Sequence, residues 1–241
     1  MTPSAKLSLI PLLCLTLAAC TPSSDDRMPA GSNGAEEWKR DQRSFVYLSE
    51  RRARYAGITR NAEGRLLILY THQTAQQERE GSGELHLVRR TRDGDWWFYP
   101  ETVFQSQQGE PRAMGTLTTL ESGRIIAPFT ELNDGAGGSR LRLLASEDHG
   151  ETWTTSAPLG TQPLIWATPY GRPFEAGGRL LMPVHGAVSR EDLAATRLQS
   201  GLLQSTDSGK SWGDWIPIAA PGPEADLSYE FPAVLPPQDG A

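Results

Sequence analysis

The stretch Ser146-Glu147-Asp148-His149-Gly150-Glu151-Thr152-Trp153 returns as Ser205-Thr206-Asp207-Ser208-Gly209-Lys210-Ser211-Trp212, with a hydroxyl, an Asp, a Gly and a Trp at the same offsets. A worn copy, Thr91-Arg92-Asp93-Gly94-Asp95-Trp96-Trp97-Phe98, keeps Asp93 and the aromatic end. Ser and Asp side chains accept hydrogen bonds from nearby backbone N–H groups and hold a tight turn. Gly supplies the positive φ of a short hairpin turn. Trp buries a large apolar face just beyond it. A second landmark recurs as well: Gly64-Arg65-Leu66-Leu67, Gly123-Arg124-Ile125-Ile126 and Gly178-Arg179-Leu180-Leu181. The glycines at 64, 123 and 178 are 59 and 55 residues apart, and the aspartates at 93, 148 and 207 are 55 and 59 apart. Two independent landmarks with one period define one repeating unit. Asp239-Gly240 opens a fourth.

Each unit carries the same order of signals. A first strand precedes the glycine (56–59, 116–120, 233–235) and a second follows it as an apolar run (66–70, 125–129, 180–184). A third (85–88, 141–144) leads into the Trp hairpin, and a fourth leaves it. Four short strands per unit, with turn signals between them, predict a blade of a β-propeller. No stretch has sustained helical periodicity, and 24 Gly with 18 Pro suit a turn-rich all-β chain. The formal charge of −6 argues against a nucleic-acid partner, which would favour a basic face.

The pattern Ser-x-Asp-x-Gly-x-x-Trp resembles the Asp box, or BNR repeat, of the sialidase (neuraminidase) superfamily. The resemblance implies an all-β, six-bladed propeller in which Ser146, Asp148, Gly150, Trp153, Ser205, Asp207, Gly209, Trp212 and Asp93 are structural turn residues, away from any active site. About three and a half units fit within residues 45–241, which predicts an incomplete ring with uncovered strand edges, a fragment or split gene product not expected to form a stable active enzyme alone.

The N-terminus reads as a targeting segment over residues 1–19: Lys6, then an apolar run from Leu7 to Ala19. It ends in Leu17-Ala18-Ala19-Cys20, which resembles the lipobox of bacterial lipoproteins. That resemblance implies a lipidated Cys20 as mature N-terminus and, with Thr21 next, an anchor in the outer membrane of the cell envelope. Cys14 would leave with the signal, so the mature domain is expected to hold no disulfide or thiolate metal site. Residues 20–44, rich in Ser, Pro, Gly and acidic groups, read as a flexible tether.

Ten residues before the turn glycines stand Arg54, Ala113, Thr168 and Glu230, at the starts of the innermost strands that line a propeller's channel. A charge there needs solvent or a ligand. Arg54 falls where sialidases carry the Arg that binds the sialic acid carboxylate, though the Ile-Pro that follows in the family is replaced by Tyr55-Ala56. Glu230-Phe231-Pro232-Ala233-Val234 resembles the segment whose Glu draws the proton from a nucleophilic Tyr. The Tyr and two further arginines would lie beyond Ala241. The family's acid/base Asp belongs to the loop after the second strand, where this chain offers Glu78 and Glu80 and no Asp. The four histidines, at 72, 86, 149 and 185, are spread without metal-ligand spacing, so neither metal nor cofactor is expected. Two functions follow as expectations. One is a sialidase-like exo-glycoside hydrolase acting on terminal sialic acid or a related acidic sugar. The other is a non-catalytic envelope propeller that binds glycan or protein.

Overall fold

The computed structural model describes residues 52–91, 97–106, 109–133 and 138–222, all within one compact unit, Ser44–Ala241. Cys20, Asp93, Glu230 and the Asp239-Gly240 turn lie outside the described residues.

Three antiparallel sheets follow one another along the chain. The first is β1 (Arg52–Arg60), β2 (Leu66–Gln73), β3 (Gly83–Arg89) and β4 (Glu101–Ser106), neighbours in that order, with a helix α1 (Ala75–Glu80) between β2 and β3. The second comprises β5 (Glu110–Arg112), β6 (Thr118–Thr119), β7 (Ile125–Asn133), β8 (Gly138–Ser146) and β9 (Thr154–Thr155). The third comprises β10 (Trp166–Pro169), β11 (Phe174–Ala176), β12 (Arg179–Ala187), β13 (Gln199–Ser205) and β14 (Gly213–Ala219), with α2 (Arg190–Ala194) before β13. In the second and third sheets two short strands share one partner: β5 and β6 both pair with β7, and β10 and β11 both pair with β12. Each couple is one innermost strand with a break in it. The plan is therefore three four-stranded blades of a β-propeller, all-β as the repeat predicts. The strands expected at 66–70, 125–129 and 180–184 each run several residues further, to Gln73, Asn133 and Ala187. The two short helices had no signal in apolar periodicity.

The blades are held by their apolar faces. Leu67, Leu69, Leu85 and Leu87 of the first pack with Ile125, Ala127, Phe129 and Leu144 of the second. Ile126, Leu141, Leu143 and Ala145 of the second pack with Leu180, Met182, Val184, Leu203 and Trp212 of the third. The middle sheet is covered on both faces, which is why β7 opens as an unbroken apolar run rather than an alternating one. Burying each of the leucine, isoleucine, valine, methionine and phenylalanine side chains among them contributes roughly 1.5–3 kcal/mol.

The Trp hairpins are closed by side chains. Gly150 N–H donates to Ser146 Oγ (2.8 Å), which donates to Asp148 Oδ1 (2.8 Å). Asp148 then accepts from Thr152 twice, from its N–H at 2.8 Å and its hydroxyl at 2.6 Å, and Trp153 Nε1 donates to Gly150 O at 3.1 Å. The second copy repeats this with Ser205, Asp207, Gly209, Ser211 and Trp212, each of these bonds within 0.1 Å of its counterpart. Thr152 and Ser211, the residues before each Trp, are thus working members of the turn although the recurring pattern does not fix their identity.

These bonds favour the ionised carboxylate. The Thr152 hydroxyl, then its N–H, hold Asp148 down at about 2, and Ser211 does the same to Asp207, further still below the usual range. A carboxyl depressed on folding lends stability above its unfolded value, near 4, which is lost as pH falls through the folded one. The urea midpoint is therefore expected to drop between about pH 4 and pH 2, and to drop less steeply in the Asp148→Asn, Asp207→Asn double variant. Coincident pH profiles would rule this out. Both carboxylates are solvent-exposed enough that screening keeps the effect modest.

Each hairpin is also gripped by the blade before it. Arg65 NH1 donates to Glu151 at 2.7 Å, and Arg89 NH1 to the same carboxylate at 2.6 Å. Asn61 Nδ2 donates to His149 O at 2.8 Å. One unit later, Arg124 reaches Ser208 O in the third blade. The arginine of the recurring Gly-Arg pair thus ties one blade to the turn of the next.

Candidate functional site

The innermost strands β1, β5 and β10 present their third residues at one register position. Register makes Arg54, Arg112 and Thr168 equivalent: they pair with Thr71, Thr130 and His185, each seven residues after its turn glycine. Counting along the sequence had placed Ala113 at this position in the second unit. Between Arg112 and Gly123 the inner strand holds one residue more than its counterparts, so Arg112 takes the place and Ala113 turns into the core, 1% exposed. The same register positions two threonines as inter-blade ties. Thr71 Oγ1 donates to Pro111 O at 2.6 Å, and Thr130 Oγ1 to Ala167 O at 2.9 Å.

In the first blade the inner strand carries a bulge between Arg54 and Gly57, with Tyr55 at φ 56°. A non-glycine residue in that region is strained and persists only where its surroundings hold it. The Tyr55 ring is held under the Arg112 guanidinium, 5.5 Å from its carbon to the ring centre. Arg112 in turn binds Glu110 through Nε at 2.7 Å and NH2 at 2.5 Å. Arg54 NH1 stands 3.8 Å from the other oxygen of the same carboxylate. The Glu110 side chain is 11% exposed, those of Arg112 and Arg54 28% and 33%. Two guanidinium groups thus share one carboxylate on adjacent inner strands. That arrangement suits an anion able to take paired N–H donors, such as a carboxylate.

Glu78 and Glu80 belong to α1 rather than to an open loop. Thr74 caps it: Gln77 N–H donates to Thr74 Oγ1 at 3.0 Å, and Thr74 N–H to Gln77 Oε1 at 2.9 Å. This reciprocal pair is the capping box expected of Thr-x-x-Gln, a signal the sequence did contain. Glu80 is exposed and accepts from Gln76 Nε2 at 2.7 Å. His185, 4% exposed, lies against Trp166 and Tyr170, with ring centres 5.7 and 6.4 Å apart.

His72 and His86, distant by sequence spacing, meet across β2 and β3 beside Glu84. Burial alone would raise the Glu84 carboxyl, but the His86 hydrogen bond and both imidazoles outweigh it and leave it below its ordinary value.

A cleft of about 300 Å³ lies at the other end of the strands, between the second and third blades, lined among others by Glu121, Glu175, Arg179 and Ser208. Arg179 begins β12 and His185 nears its end, so this cleft is about 20 Å along the strand from the arginine cluster.

Four-stranded antiparallel blades with conserved register place the chain among β-propellers, and solved structures bear this out. A protein of unknown function from Dyadobacter fermentans superposes with a TM-score of 0.58 at 20% identity, over 73% of this chain and 57% of that one. A family 117 glycoside hydrolase produced by Zobellia galactanivorans superposes with a TM-score of 0.50 at 14% identity, over 69% and 55%. A Trypanosoma rangeli sialidase in complex with sialic acid gives 0.48 at 17% identity, over 67% and 30%. The fold assignment rests on the first two. The chain spans little more than half the length of either. No protein-family profile and no curated protein sequence matches it.

Proposed function

We propose that the chain is part of a sialidase-like exo-glycoside hydrolase, and that Arg54 and Arg112 receive the carboxylate of a terminal acidic sugar. The observation that carries this reading is the pair of arginines on adjacent inner strands sharing the single carboxylate of Glu110. An acidic sugar would displace Glu110 from part of its contact and gain charge-assisted hydrogen bonds in its stead. In this proposal Glu230, by its resemblance, draws the proton from a tyrosine nucleophile, and Glu78 or Glu80 serves as acid and base. Cys20 would anchor the domain to the envelope.

The second reading, a non-catalytic propeller that binds glycan or protein, is favoured by one observation. The segment between β2 and β3 is a capped helix that bears no Asp, and Glu80 there is exposed.

The test uses the chain together with the blades that would supply the tyrosine, assayed with a fluorogenic sialoside, and free sialic acid against a neutral hexose in a binding titration. The acidic sugar is expected to bind preferentially, and Arg54→Ala and Arg112→Ala each to weaken it about tenfold or more. Turnover lost in Glu230→Gln supports the hydrolase. Binding without turnover supports the second reading. Equal weakness toward acidic and neutral sugars, unchanged by either arginine variant, would sink the hydrolase and the glycan-binding reading alike.

A further inference from the structure

We propose that His72, Glu84 and His86 form a binding site for a divalent transition-metal ion of the zinc class. The site lies on the face of the first blade turned away from the second. His72 pairs with Glu84 across β2 and β3, and His86 follows two residues on. Alternation along a strand puts all three on the face opposite Leu67, Leu69, Leu85 and Leu87, which pack against the second blade. The arginine cluster is on that other face, since Thr71 beside Arg54 bonds to Pro111. The two sites are therefore separable by substitution.

Glu84 Oε2 lies 2.7 Å from His86 Nε2 and 3.9 Å from His72 Nδ1. One ligand atom from each of the three residues lies within 4.8 Å of the other two. Ligands about 2.1 Å from a tetrahedral ion stand about 3.4 Å apart, so loading asks for shifts of about 1 Å. The imidazoles, now stacked with centres 4.3 Å apart at 23°, would splay to admit the ion. His72 is 1% exposed.

The carboxylate is already oriented for the task. Its far oxygen, Oε1, accepts from Gln77 Nε2 at 3.2 Å and from Gln105 Nε2 at 3.4 Å. This leaves Oε2 facing both imidazoles. The Thr102 hydroxyl sits 3.1 Å from His86 Nε2 and 3.4 Å from Glu84 Oε2. Outer partners that fix a ligating carboxylate in this way are typical of metal sites. Two imidazoles with one carboxylate match the donor set of three-ligand zinc centres, whereas Mg²⁺ and Ca²⁺ prefer all-oxygen shells.

The test is titration of the chelator-treated full chain with Zn²⁺ by calorimetry, and with Co²⁺ by visible absorption. One ion per chain is expected, with a rise in unfolding temperature and no comparable rise with Mg²⁺. His86→Ala and Glu84→Gln are expected to weaken binding more than the ~10–100-fold typical of losing an outer partner, and Gln77→Ala by about tenfold. The Arg54→Ala variant should bind the ion as tightly as the unaltered chain. Absence of saturable binding would overturn the proposal, as would binding unchanged in His86→Ala. A thiolate-to-cobalt band would overturn it too, by placing the ion on a cysteine.

Discussion

Gly150→Ala is expected to destabilise the chain by about 2–5 kcal/mol, read as a lower urea midpoint with an unchanged slope. Two costs add. Gly150 has φ +93°, where an L side chain is strained by roughly 1–2 kcal/mol. A Cβ there would also stand 2.4 Å from Leu67 Cδ2 in the preceding blade. A leucine methyl at a surface would swing away, but Leu67 is fully buried, so the blades must part or Leu67 must leave its rotamer. Gly64→Ala separates the two costs. Its φ is +82°, yet nothing lies within 4 Å of the added carbon, so only the strain remains, about 1–2 kcal/mol. Equal losses for the two variants would refute the idea that the hairpin turn is fitted into its neighbour.

Trp212→Ala is expected to cost about 3–5 kcal/mol, a large fraction of what a domain of this kind has. Trp212 is 8% exposed and packs with Leu180, Met182 and Leu203 where the second and third blades meet. Its removal leaves a cavity between sheets that are tied together at their turns and cannot close up freely. Trp212→Phe keeps much of the apolar area but leaves Gly209 O without its 3.1 Å partner, for about 1 kcal/mol. Trp153, only partly buried at the edge of the first interface, is expected to cost less on truncation than Trp212. The reverse order in chemical denaturation would show that the hairpin tryptophans do not act by filling the space between blades.

The blade plan was legible because its signals are short-range. A hydroxyl, an Asp and a Gly within five residues close their own turn by hydrogen bonds, and an apolar run after Gly-Arg declares a strand wherever it sits. The capping box at Thr74 is equally local, but a six-residue helix leaves no apolar period beside it to mark a helix. Arg112 was hidden for another reason. One extra residue in the inner strand moves the register, and counting from the glycine then lands on Ala113, a core residue.

The repeating four-strand unit, the order of its strands and the chemistry of its turns are written in the chain locally, because each depends on groups a few residues apart. Which side chains meet emerges from the folded chain alone: Arg54 with Glu110 and Arg112, Arg65 with Glu151, and His72 with Glu84 and His86. Those meetings are set by strand register, by bulges and by the docking of one sheet on the next. Each of these sums small contributions over many residues, and no local stretch contains it.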